Sequence, residues 1–178
     1  MIPRQEIGES LIIRKPDIND GIAIHELVSR SPPLDLNSLY SYLLFSKHFK
    51  GTSAVAEHKE EIVGYTSAYN HPQKEDTLFV WQVAVKEGFR GSGIAREMIS
   101  NILNRRELDK IKYLETTVSP DNQASESLFT GLATKTGAGI TKTLFFSQNL
   151  FGKSDHPPEY LLRIGPLNKR PLKKSRTV

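Results

Sequence analysis

Cysteine is absent from all 178 residues. That excludes disulfides, thiolate metal sites and a cysteine nucleophile, and it fits a reducing compartment. Apolar runs are short, as in Leu11-Ile12-Ile13 and Leu78-Phe79-Val80-Trp81. A membrane span needs roughly 20 consecutive apolar residues, so none is predicted. Met1 to Ser10 interleaves Arg4, Glu6 and Glu9 with polar residues and has no apolar h-region, so no secretory signal is read there. A cytoplasmic location follows as the expectation. No pair among the five histidines has metal-ligand spacing, and no metal is expected. Internal repeats are also missing.

The formal net charge is +4, but it is unevenly placed. From Leu167 to Val178 the chain has Lys169, Arg170, Lys173, Lys174 and Arg176 and no acid. Without those five bases the chain sums to −1. The body therefore lacks the basic stripe with interleaved aromatics that marks a nucleic-acid binder. Length and composition indicate a single domain over residues 1–166, followed by a basic tail over 167–178.

Periodicity supplies the elements. Ser10 to Arg14 reads as a strand stopped by Pro16, and Asp17 or Asn19 is placed to cap a helix ending near Arg30. Asn37 is placed to cap a second helix, in which Leu39, Leu43 and Tyr40, Leu44 recur at i, i+4. Thr52–His58 and Glu61–Tyr69 read as a hairpin joined by Lys59-Glu60. Thr77–Val85 is apolar on both faces, as a doubly covered central strand requires. Ile94–Arg105 is strongly amphipathic, and Ile111–Val118, a helix from Asn122 to about Lys135, and strands Thr141–Ser147 and Tyr160–Ile164 follow. The order β α α β β β α β α β β predicts one α/β domain of α+β flavour, a mixed sheet with helices on both faces.

One stretch carries chemistry. A buried strand, Trp81 to Val85, enters a turn with Gly88, Gly91 and Gly93, and the turn opens a helix. Glycines permit positive φ and close backbone approach. Free N–H groups of the first helical turn, the helix dipole and Arg90 then form a cradle for pyrophosphate. No Gly-Lys-Ser/Thr follows, so this is not a P-loop. The Gly-x-Gly-x-x-Gly dinucleotide fingerprint is also missing.

Arg90-Gly91-Ser92-Gly93-Ile94-Ala95 resembles the Arg/Gln-x-x-Gly-x-Gly/Ala signature of the GNAT acetyltransferases. The preceding Val83-Ala84-Val85 and the later Val118 and Asn122 stand where that superfamily has its neighbouring strands and helix. The resemblance implies a GNAT fold, with a mixed, mostly antiparallel sheet whose central strands splay at an acetyl-CoA site. It implies that acetyl-CoA is held by Val83, Ala84, Val85, Arg90, Gly91, Ser92, Gly93, Ile94, Ala95 and Asn122. Further blocks are similar to the diaminobutyrate acetyltransferase family: Asp35-Leu36-Asn37-Ser38 with Tyr40, Asp76 to Val85, Leu114 to Val118, Pro120-Asp121-Asn122 and Arg163 to Pro166. They run from about Ile13 to Pro166. This implies acetyl transfer to the γ-amine of L-2,4-diaminobutyrate on the route to the compatible solute ectoine, by direct attack in a ternary complex. A homodimer through the C-terminal strands is implied by resemblance alone. Alternatives are a GNAT enzyme for another small amine or amino acid, and a non-catalytic acyl-CoA-binding module.

The chemistry defines what the site must contain. An alkylammonium near pKa 10 must lose a proton before it attacks a thioester, and the departing thiolate must regain one. Glu115, flanked by Leu114 and Thr116 in the strand beside the cofactor strand, is the catalytic candidate, as base or as holder of the ammonium. A structural ion pair is the competing reading, because buried carboxylates need partners. Asp35 is a candidate grip for a substrate ammonium or an ordinary helix cap. Tyr40 and Trp81 are pocket wall or core. His156 and Glu159, in Ser154-Asp155-His156-Pro157-Pro158-Glu159, are substrate contacts by resemblance, or part of a proline-rich surface link. Asn122 is an ordinary helix cap or, as the resemblance implies, a contact to the pantetheine or its bound water, and both roles can coexist. Many relatives carry a tyrosine general acid where Leu128-Phe129 stands, and Phe129 has no proton to give. Ser125, Ser127 or water would replace it.

Overall fold

The structure is a computed structural model and describes residues 10–168. The tail's bases, Lys169 to Arg176, lie outside the described residues. Leu167, counted with the tail on sequence, joins the core at 9% exposure and donates its N–H to the Lys112 carbonyl (2.7 Å).

Seven strands form one sheet in the order β1-β2-β3-β4-β5-β7-β6. They are β1 Leu11–Arg14, β2 Ala54–His58, β3 Glu61–Asn70, β4 Thr77–Val85, β5 Tyr113–Val118, β6 Gly139–Phe146 and β7 Glu159–Gly165. All neighbours are antiparallel except β4 and β5. The Lys59-Glu60 link turns β2 into β3 with φ of +49° and +65°. Two positive φ angles give the twist that matches a right-handed strand pair, which is why a two-residue link suffices.

Helices α1 (Gly21–Ser29) and α2 (Leu39–His48) cover one face; α3 (Ile94–Leu103) and α4 (Gln123–Thr136) cover the other. Asp17 caps a short 3-10 turn, Ile18–Asp20, that leads into α1. Ser38, not Asn37, caps α2, accepting the Ser41 N–H at 3.3 Å. Ile94, Met98, Ile99 and Ile102 of α3 are buried against Ala54, Ala56, Val63, Leu78 and Val80. Truncating such a side chain to alanine costs about 2–5 kcal/mol. A smaller core on the opposite face joins Ile24, Leu27 and Val28 of α1 to Tyr42, Val55, Tyr65 and Ala84.

Two irregularities of β4 shape the site. First, β4 pairs with β5 only at Thr77↔Tyr113, Leu78↔Leu114 and Phe79↔Glu115. Beyond that rung β4 keeps only β3 and β5 keeps only β7, so a wedge opens between them. Second, Ser67 faces Gln82 while Ala68 faces Val80, which leaves Trp81 as the extra residue of a bulge. A bulge resets the alternation of side chains. Leu78 and Val80 lie toward α3 before it, and Val83 and Val85 after it. Trp81 and Gln82 consequently both serve the α2 side, where Trp81 meets Phe45 at 5.0 Å and Gln82 meets Tyr42.

Candidate active site

Where the wedge reaches the α3 side, a cavity of about 370 Å³ opens. Val83, Ala84 and Val85 form its strand wall, Arg90, Gly91, Gly93, Ile94 and Ala95 its turn, and Asn122 its far rim. Gly91 and Gly93 have φ of +79° and +98°, angles that L side chains rarely adopt. A Cβ on Gly91 would meet nothing within 4 Å, so the loop is open to a ligand. Gly93 is the N-cap of α3 and offers no capping side chain, which leaves the first helical N–H groups facing the loop. Arg90 donates Nε to the Val85 carbonyl (3.0 Å), which sets its guanidinium beside the cavity. Ser92 does not line the cavity; its hydroxyl donates to the Phe89 carbonyl (2.6 Å) and closes the turn instead.

Asn122 caps a helix and lines the cavity. Its side-chain oxygen accepts the Ser125 N–H (3.1 Å), capping α4, while the residue lines the cavity. Ser125 and Ser127 line it too, whereas Phe129 is 2% exposed and packs in the core. Arg96 was not among the residues expected at the site. It lines the cavity, and its buried Nε has no hydrogen-bond partner. The pairing of buried donors is close to universal in folded proteins, so the sequence signal is only its place one turn from Gly93.

On the other side of the wedge three acids gather round one imidazole. His156 Nδ1 lies 2.7 Å from the Pro157 carbonyl, which only accepts, so Nδ1 carries the hydrogen. That leaves Nε2 facing Asp35 Oδ2 at 3.6 Å and Glu159 Oε1 at 4.0 Å. Phe151 stacks on the ring at 3.9 Å and fixes its plane. Burial pushes the Glu159 carboxyl above the ordinary carboxylate range, against the Thr117 hydroxyl and His156, which pull it down; Asp35 and Asp121 add to the rise. Asp121, named from the sequence only as part of the Pro120-Asp121-Asn122 block, is held low by the Ser119 hydroxyl.

Asp35 and Glu159 are anchored to the two separated strands. Gln82 of β4 holds the Asp35 carbonyl, and Thr117 of β5 bonds Glu159. Trp81 is 42% exposed and Tyr40 68% exposed, which removes both from the core. Trp81 continues an aromatic run through Phe45 to Phe49.

Glu115 stands apart from this cluster. It is 1% exposed at the last rung that joins β4 to β5. Its Oε1 accepts from Lys74 Nζ (2.8 Å) and from Arg163 Nη1, its cross-strand neighbour, and His71 lies 3.9 Å from Oε2. Burial works to raise this carboxyl, but Lys74 and Arg163 outweigh it and hold it below its usual value. A carboxylate kept ionised, capped by two cations and closed to solvent is a poor proton acceptor. The geometry matches the ion-pair reading: Glu115 clamps β5 to β7 and to the β3–β4 turn at the apex of the wedge.

The fold, with its wedge and glycine cradle, is that of an acetyltransferase. The protein-family model described as Acetyltransferase (GNAT) family matches residues 22–132, and the chain belongs to that family. The L-2,4-diaminobutyric acid acetyltransferase of Bordetella parapertussis is 51% identical over 160 residues, covering 89% of this chain and 86% of that protein. That of Halomonas elongata is 47% identical over 157 residues, covering 88% and 81%. The solved structure of diaminobutyrate acetyltransferase EctA from Paenibacillus lautus, in complex with its substrate L-2,4-diaminobutyric acid and coenzyme A, superposes with a TM-score of 0.86. It is 38% identical and covers 90% of this chain and 97% of that one. At this identity and coverage the chain falls within the diaminobutyric acid acetyltransferases.

Proposed function

We propose that the protein transfers the acetyl group of acetyl-CoA to the γ-amine of L-2,4-diaminobutyrate, by direct attack across the β4–β5 wedge. The observation that carries this is the wedge itself, with a glycine-lined cavity on one side and an acidic cluster on the other. An amine held by the cluster meets an acyl group held by the cradle where neither strand blocks them. Identity to relatives named for this activity supports the choice of amine. Acetyl-CoA supplies the acyl carbon and the leaving thiolate when bound. The unpaired edge of β4 offers backbone N–H and C=O groups that otherwise lack a strand partner, and backbone groups of this kind are rarely left unmet. Val83 to Val85 are thus suited to pantetheine, and Gly91, Gly93, the start of α3, Arg90 and Arg96 to the phosphates.

Asp35 and Asp121 suit a substrate that carries two ammonium groups. Asp35 grips the non-reacting one, Trp81 and Tyr40 wall the aliphatic part, and Glu159 takes the proton from the reacting amine. Its raised carboxyl is better matched to that task than Glu115. Ser125 or Ser127, directly or through water, is placed to protonate the thiolate. Thiol release from acetyl-CoA with diaminobutyrate, ornithine, lysine, a plain diamine and a peptide amine tests the assignment. Turnover highest on diaminobutyrate supports it, and CoA binding without thiol release on any amine overturns it.

The reaction is proposed to run in the cytoplasm, where acetyl-CoA would be at hand, and its product to serve as a precursor of ectoine. The homodimer is proposed on the exposed edge strand β6, all of whose residues are open and which presents Ile140, Leu144 and Phe146. An uncovered apolar edge is a pairing surface. Light scattering of wild type and Leu144→Glu tests it: a shift from dimer to monomer supports the assignment, and a monomeric wild type removes it.

A further inference from the structure

Asp35 poses a geometric problem. Its side chain is 82% exposed, and the ion-pair contact it makes among the described residues is with the His156 ring across 3.6 Å. A carboxylate on an open loop samples many positions, yet distinguishing one amine of a small diamino acid from the other requires the grip to stay at a fixed distance from the acyl carbon.

The backbone around Asp35 is held from below. Gln82, 5% exposed, donates Nε2 to the Asp35 carbonyl at 2.7 Å. Its Oε1 accepts from the Tyr42 hydroxyl (3.4 Å), and that hydroxyl accepts the Asn37 N–H (3.2 Å). Tyr42 is 2% exposed and packs edge-on against His25 and Tyr65. The Gln82 N–H is itself tied to Ser67 Oγ (3.2 Å) across the bulge. The segment from Asp35 to Asn37 is thus pinned at both ends to β4 and α2. A buried amide and a buried phenol cost stability unless their polar atoms are paired; here they are paired to the loop that carries Asp35. Only the bulge at Trp81 brings Gln82 to this face, because strict alternation would turn it toward α3.

We propose that Gln82, acting with Tyr42, is the positioning residue that sets the distance between the substrate ammonium at Asp35 and the acyl group in the wedge. It selects diaminobutyrate over longer diamino acids. This rests on the reading of Asp35 as the ammonium grip.

The test is a double-mutant cycle with steady-state kinetics. Gln82→Met keeps length and volume but neither donates nor accepts. Gln82→Glu keeps the acceptor for Tyr42 but has no donor for the Asp35 carbonyl. In both, KM for diaminobutyrate should rise about three- to tenfold, KM for acetyl-CoA should stay, and the preference for diaminobutyrate over ornithine should fall. Added to Asp35→Asn, Gln82→Met should produce little further change, since residues acting through one contact are not additive. A merely structural glutamine would lower the melting temperature, leave the ornithine ratio intact and add fully to Asp35→Asn; that pattern overturns the proposal. Should Gln82→Met fail to fold, Tyr42→Phe, which removes one oxygen from the other end of the strut, decides: an unchanged ornithine ratio overturns it. Unchanged KM for diaminobutyrate in Asp35→Asn alone overturns the reading of Asp35 and the proposal with it, whereas a large effect there with none in Gln82→Met overturns the proposal only.

Discussion

His156 presents Nε2 to the Asp35 carboxylate at 3.6 Å, and the two residues come from loops far apart in the chain. With Nδ1–H committed to Pro157, Nε2 is the only ring atom free to interact across the site. The pair bridges the wedge: Asp35 is tethered to β4, and His156 precedes β7, which pairs with β5. The substrate ammonium would share that carboxylate. Asp35→Asn keeps the shape and the tether to Gln82 but removes the charge. KM for diaminobutyrate should rise roughly tenfold or more, since losing a charge-assisted hydrogen bond costs about 1.5–3 kcal/mol. KM for acetyl-CoA should barely move, and equal loss on both substrates would count against the assignment.

Glu159 carries the proton-transfer prediction. Burial raises its folded carboxyl above the ordinary value, so the ionised, reactive form appears only as pH rises through that higher value. The acidic limb of kcat should lie above the usual carboxylate range. Glu159→Gln should lower kcat by about 10²–10⁴ and remove that limb. The sign for stability is opposite. A raised folded pKa stabilises the fold below the unfolded pKa, and this contribution is lost as pH rises through the folded one. At neutral pH Glu159→Gln should therefore melt no lower than wild type. A parallel fall in kcat and melting temperature would assign Glu159 to the scaffold.

The element order was legible because Lys59-Glu60 marks a turn between two strand-like runs and the apolar rows of α3 recur with a period of 3.6. The cradle was legible because its glycines are spaced by the turn they make. What escaped was set by pairing between distant segments. No local pattern announces that β4 carries a bulge at Trp81, so neither the exposure of Trp81 nor the aim of Gln82 could be read. Glu115 was open to a catalytic or an ion-pair reading because its partners, Lys74 and Arg163, are brought to it only by the sheet. Asp35 and Glu159 were readable as residue types in similar blocks, while their meeting at one imidazole depends on the closed fold.

The cradle predicts a binding defect without unfolding. Gly93 caps α3 at φ +98°, so a β-branched side chain there strains the turn and crowds the helix N-terminus. Gly93→Val should abolish acetyl-CoA binding by calorimetry while circular dichroism stays native. Arg90→Ala should weaken binding less, because the backbone donors remain. Unchanged affinity in a folded Gly93→Val protein would remove the loop from the cofactor site.

Glu115 carries the stability prediction. Its folded carboxyl is lowered: burial opposes ionisation, but Lys74 and Arg163 prevail. A lowered folded pKa stabilises the protein above the unfolded value of about 4.3, and that contribution is lost as pH falls through the lower folded value. Wild type should thus lose stability on acidification over that window. Glu115→Gln keeps the shape but removes the charge from two cations whose side chains are 43% and 31% exposed. Solvent screens those cations, so the cost at neutral pH should be about 1.5–3 kcal/mol, less than for a fully buried pair. It should appear as a lower melting temperature with a flatter acid dependence. Because β4 and β5 part at the next residue, loosening this rung widens the wedge, and kcat should fall only modestly, in step with stability. The acidic limb of kcat should persist in Glu115→Gln and vanish in Glu159→Gln. A loss of two decades in kcat for a folded Glu115→Gln enzyme, with the limb abolished, would return the proton acceptor to Glu115 and leave Glu159 as a substrate contact.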